Sequence, residues 1–183
     1  MPTRLISLWQ THRVLTFTDA FLQPETGTIT HWPAGMNSPA AGTWSIEIPL
    51  RPWSADDEFD PDSYRSGTDG PEHIQTSIML AFIDLPTDTL DQLSDRNVAF
   101  PPSPQSGCTT GSIYLLACHC PIEVRSIVFG TATDKRITAE IRLAFDFASA
   151  GGIGIHNRTA ELHVLLHLVS PGELRTAFEN ASQ

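Results

Sequence analysis

The residues best equipped for chemistry are three cysteines and a histidine: Cys108, and the run Cys118-His119-Cys120. Thiolate and imidazole are zinc ligands, and a thiolate beside an imidazole is what a nucleophilic cysteine requires. The spacing works against both. In a strand, alternation sends Cys118 and Cys120 to one face and His119 to the other, and a separation of two residues lacks the zinc-knuckle spacing. The reading is buried, inert thiols, with no metal and no cofactor expected. A second group, His163 and His167 with Glu161 and Glu140, offers divalent-ion ligands on one sheet face. The two histidines, however, stand roughly 13 Å apart on a strand rising about 3.3 Å per residue. A polar outer face with its charges paired is the expectation. Asp60-Pro61-Asp62 opens like a calcium loop but lacks the glycine and closing glutamate of one. No phosphate-cradling glycine loop, G-x-S-x-G or H-E-x-x-H occurs, so no catalytic residue is assigned.

The element that must position these residues is a long hairpin from Ile137 to Val169. In its first arm Ile137, Ala139, Ile141, Leu143, Phe145 and Phe147 alternate with mostly polar residues. In its second arm Ala160, Leu162, Val164, Leu166 and Leu168 do the same, the period-2 pattern of a half-buried strand. A two-residue turn at Gly151-Gly152, whose residues tolerate φ > 0, sets Ile141 against Leu162, Leu143 against Ala160 and Ile137 against Leu166. A slip by one residue would oppose apolar to polar side chains. The same register puts Arg142 beside Glu161 and Glu140 beside His163.

Further strands are expected at Leu5 to Trp9, Val14 to Thr18 and Gly27 to Trp32, and more firmly at Thr43 to Leu50. In the last, Trp44, Ile46, Ile48 and Leu50 share a face, and Pro49 places the strand at an edge or ends it. His73 to Leu85 reads as a central strand, with Ile74, Ile78, Leu80 and Phe82 on one face and Met79, Ala81 and Ile83 on the other. A short helix is expected within Thr87 to Leu93, a Pro-rich connector from Asn97 to Gly107, and strands at Ser112 to Cys118 and Val124 to Gly130 around a tight passage at 120–123. Ser170-Pro171-Gly172-Glu173 has the form of a capping box. Leu174, Ala177, Phe178 and Ala181 follow at helical spacing. These elements make one β-rich domain over 1–183, with an acidic loop at 54–72 and a C-terminal helix at 171–181. The fold class is mainly β, a β-dominated α+β chain with two packed antiparallel sheets or a β-sandwich and a short C-terminal helix.

The formal charge of 183 residues is -10. That charge repels phosphate backbones and anionic membranes, so neither nucleic acid nor membrane is an expected partner, whereas a basic protein is. No run of apolar residues approaches a membrane span, no signal peptide is read at the start, and an odd number of cysteines suits a reducing compartment. A cytoplasmic protein is expected. The 54–72 segment concentrates carboxylates around two aromatic rings, and Asp56, Asp57, Glu58, Phe59, Asp60, Asp62 and Tyr64 are the candidate partner-binding residues. The function expected is a protein-binding module, an immunity- or antitoxin-type inhibitor that neutralises a basic partner such as a toxin. The alternative is an enzyme or small-ligand-binding β-domain that uses the Cys/His-bearing strands.

Overall fold

A computed structural model describes residues 19–54, 73–115, 118–150, 156–174 and 176. Its strands are β1 (Gly27–Trp32), β2 (Thr43–Pro49), β3 (Trp53–Ser54), β4 (His73–Ile74), β5 (Ser77–Ile83), β6 (Asn97–Ala99), β7 (Thr109–Leu115), β8 (Cys118–Phe129), β9 (Arg136–Phe145) and β10 (Arg158–Leu168), with one short helix, α1 (Leu90–Leu93), between β5 and β6. Residues 171–174 are again helical. The strands expected at Leu5 to Trp9 and Val14 to Thr18, the Gly151-Gly152 turn, and Ala177, Phe178 and Ala181 lie outside the described residues.

The expectation of two packed sheets is corrected. The strands run β7-β5-β2-β1-β10-β9 in one sheet, and β8 pairs with both β7 and β9, which closes the sheet into a seven-stranded barrel. Two features make closure possible. One is the length of β8, which pairs with β7 over Cys118–Val124 and with β9 over Ile122–Phe129. A bulge at Arg125, between Val124 and Ser126, turns the strand round the corner. The other is the joint between β1 and β10, which is parallel, with Gly27 opposite Leu166 and Ile29 opposite Leu168. Antiparallel neighbours alternate in direction, and a ring of seven cannot alternate all the way round. One parallel joint is therefore obligatory.

The hairpin register agrees with the apolar pattern: Ile141 pairs with Leu162, Leu143 with Ala160 and Ile137 with Leu166. The ladder stops at Phe145 and Arg158, however, and residues 148–150 form a 3-10 turn, so the connection is longer than a tight two-residue turn. Ile29, Ile46, Leu80, Ile113, Ile141 and Leu166 have no exposed surface and fill the barrel, as expected where so few strands leave an interior only side chains wide. Each contributes roughly 1.5 to 3 kcal/mol by leaving water.

Three local expectations change. β5 is central, but a register shift against β2 and a positive φ of 57° at Phe82 reverse its alternation. Phe82 is thereby 54% exposed and Ile83 is buried. The tight passage at 120–123 is continuous strand. A residue's N–H and C=O point to the same strand edge, and the Pro121 carbonyl accepts Asp146 N–H at 3.0 Å just beyond the last β8–β9 pair. The missing donor therefore falls where the ladder ends. Within the Pro-rich connector, β6 still pairs with β8 through Asn97, Val98 and Ala99. Pro49 does end β2, though this strand is flanked on both sides by β1 and β5 rather than lying at an edge.

Candidate functional site

One end of the barrel is closed by Phe21, Leu22, Leu50 and Phe147, all buried. From this end β2 runs on into β3, which pairs with β4, Trp53 opposite Ile74 and Ser54 opposite His73. The acidic loop expected at 54–72 is thus held at its two ends by a two-stranded ribbon. Asp56, Asp57, Glu58, Phe59, Asp60, Asp62 and Tyr64 lie outside the described residues.

The other end is closed by the segment 84–96, which alternates buried leucines with exposed acids. Leu85, Leu90 and Leu93 are buried against the core, while Asp84, Asp88, Asp91 and Asp95 face outward. Helix α1 occupies only four residues of it, with Asp91 in its first turn. The segment is stitched down on both sides. Trp44 Nε1 donates to the Thr87 carbonyl at 2.7 Å, and Ala132 N–H donates to Ser94 Oγ at 2.8 Å.

A cleft of about 560 Å³ opens between this cap and the start of the C-terminal helix, lined by His31, Trp44, Asp88, Asp91, Lys135 and Glu173 among others. Its floor is the His31 ring, tilted 39° against Trp44 with ring centroids 4.9 Å apart. The His31 side chain is 15% exposed and its Nε2 lies 3.4 Å from Asp88 Oδ1. That nitrogen is itself buried and makes no hydrogen bond. The opposite wall is fixed by the capping box foreseen from Ser170 and Glu173. Ser170 N–H donates to Glu173 Oε2 at 2.7 Å and Glu173 N–H donates to Ser170 Oγ at 3.3 Å. These bonds, with Lys135 nearby, hold the Glu173 carboxyl below the usual carboxylate range.

The Cys/His run does not form a site. Cys118 opens β8, Cys120 is fully buried and His119 is exposed on the opposite face, so the thiol of Cys120 and the His119 imidazole cannot act together. Cys108 is half-buried and free. On the barrel wall, donor atoms of Glu140, Glu161 and His163 lie within 4.8 Å of one another, but the cation they hold is Arg142, whose Nε donates to Glu161 Oε2 at 2.7 Å and whose terminal nitrogen is 3.5 Å from Glu140 Oε1. Hydrogen bonding from this guanidinium is the main cause of the lowered Glu161 pKa. His167 sits two pleats from His163, opposite Arg136.

No family model, curated protein or solved structure matches the chain. The case for function therefore rests on where charge is paired and where it is not. Away from the cap, three carboxylates meet arginines: Glu123 with Arg125 at 2.6 Å and Glu161 with Arg142 on the wall, and Asp19, ahead of β1, with Arg158. On the cap, neither Asp84 nor Asp91 has an ion-pair partner among the described residues, and Asp88 has only His31. His31 was not singled out from the sequence, although its two-residue step from buried Ile29 was a signal that it faces inward.

Proposed function

We propose that the protein is a binding module for a basic partner protein, acting as an inhibitor of the immunity or antitoxin type. The observation that carries this reading is the cap, where Asp84 and Asp91 have no ion-pair partner among the described residues and Asp88 has only His31, whereas Glu123, Glu161 and Asp19 each meet an arginine. Uncompensated negative charge raises the encounter rate with a positive surface and repels anionic competitors. The segment 54–72 adds seven of the chain's twenty-one acidic residues. Phe59 and Tyr64 within it supply the aromatic contact that hot spots favour. The runner-up is an enzyme or small-ligand-binding β-domain on the Cys/His-bearing strands; Cys120 in the core and His119 on the opposite face do not favour a centre made of that pair.

The test is a pair of affinity captures, one with the natural protein and one with Asp56, Asp57, Glu58, Asp60 and Asp62 replaced by Asn or Gln. A basic protein retained by the first and lost by the second is expected, with an association rate that falls as salt rises. Capture of the same proteins by both, or of acidic ones, refutes the reading.

A further inference from the structure

We propose that the cleft between the 84–96 cap and the C-terminal helix binds a small organic cation, a primary ammonium carried on a hydrocarbon body. Three observations converge on that chemistry. The first is the pair His31 Nε2 and Asp88 Oδ1, 3.4 Å apart with no hydrogen bond between them. A buried polar atom without a hydrogen bond is costly, and His31 Nε2 is one. Beside it the exposed Asp88 carboxylate accepts from an ammonium nitrogen, whose three donors leave one for Nε2 once the ring turns to meet it. With its proton on Nδ1, the imidazole presents the Nε2 lone pair to that donor.

The second is charge. Asp88, Asp91 and Glu173 set three carboxylates against the single ammonium of Lys135 in the cleft lining. Glu173 is already committed to the Ser170 cap, which leaves Asp88 and Asp91 for a ligand. An anion placed here would be repelled, and a neutral molecule would leave the cap uncompensated. The third is the remainder of the lining, in which Pro33, Leu168 and Pro171 offer apolar surface to a hydrocarbon body. A volume of about 560 Å³ lies within the usual range for small-molecule sites. A coordinated metal ion fits less well. Among the described residues the only cluster of three ligand groups is Glu140, Glu161 and His163 on the wall, and His31 and Asp88 alone supply two.

This site draws on Asp88 and Asp91 of the same cap that supports the partner-binding proposal, and the two are told apart because one is tested by amine titration with Asp88→Asn and the other by protein capture with the carboxylates of 56–62 neutralised. The experiment titrates the full chain with benzylammonium, benzyl alcohol and benzoate, following the Trp44 indole N–H resonance, since that ring lies directly under His31. Saturable binding of benzylammonium is expected, with benzyl alcohol and benzoate each at least roughly tenfold weaker, the worth of one charge-assisted hydrogen bond. Asp88→Asn should weaken benzylammonium by a similar factor. Asp88 is 81% exposed, so this variant leaves the fold intact, and His31→Phe serves as a second probe of the same acceptor pair. Equal binding of benzoate or benzyl alcohol, no saturable shift, or an Asp88→Asn variant that binds as well as the natural protein overturns the assignment. Zinc binding that benzylammonium does not displace also overturns it.

Discussion

Replacing Gly27 by alanine probes the joint on which barrel closure depends. Gly27 opens β1 and pairs with Leu166 across the parallel joint. A Cβ added there would lie 2.5 Å from the Glu47 carbonyl oxygen on β2 and 3.0 Å from Leu166 Cδ2 on β10. The first neighbour is backbone held in the β1–β2 ladder, so relief requires the strands themselves to part. Overpacking that must displace backbone belongs in the upper part of the usual range, about 2 to 3 kcal/mol, offset by about 0.5 to 1 kcal/mol because alanine has less unfolded-state freedom to lose. The net is a destabilisation of about 1 to 2.5 kcal/mol, or a fall in Tm of about 2 to 10 °C for a chain of this size. Gly172→Ala is the control. Its Cβ meets only Ser170 Oγ, at 3.9 Å, and there the same substitution should raise Tm. Thermal unfolding followed by circular dichroism measures both. A Gly27→Ala variant as stable as the natural protein would refute the close three-strand approach of β2, β1 and β10.

Acid should weaken the fold in a defined window. The carboxyl groups of Asp146, Glu161 and Glu173 are held below their usual range, by hydrogen bonds from Asn157 and Ser149, from Arg142, and from Ser170 respectively. Because these values are depressed in the folded state, their stabilisation is complete above the ordinary carboxylate range and is lost as pH falls through the depressed values. Urea midpoints measured across that range should fall with pH, and Asn157→Ala together with Arg142→Gln should flatten the slope; an unaltered slope would count against these bonds. For the thiols, iodoacetamide should label half-buried Cys108 in the native protein and fully buried Cys120 only after unfolding. Native labelling of Cys120 at the rate of Cys108 would show that the strand is not packed as described.

Much of the architecture was legible where local pattern and tertiary packing agree. The hairpin register followed from alternation because a slip would have moved every apolar residue of one arm outward. The capping box followed from four consecutive residues whose side chains and backbone satisfy one another. What escaped was set by irregularity or by distance. The turnover of β5 at Phe82 depends on a backbone conformation that no alternation pattern encodes. The strand through Pro121 depends on which edge the proline faces and where the neighbouring ladder stops. Closure depends on a joint between β1 and β10, elements more than a hundred residues apart, and neither carries a mark of the other. The cleft was missed for the same reason, since His31, Asp88 and Glu173 meet only once the barrel has formed. The aromatic and acidic residues of 54–72 were conspicuous as composition, and the geometry adds that their ends are clamped by Ser54 and His73.

The parallel joint has a consequence for how the chain comes into being. A ribosome releases β1 well before β10, so until β10 emerges β1 waits with one edge unsatisfied, and so does the growing end of the sheet. Exposed edges of this sort recruit strands from neighbouring chains, and pairings between remote segments form slowly. A nascent protein stalled or cleaved before residue 158 would be an open, sticky sheet, and only the arrival of β10 converts it to a surface with no edge left to share along that seam.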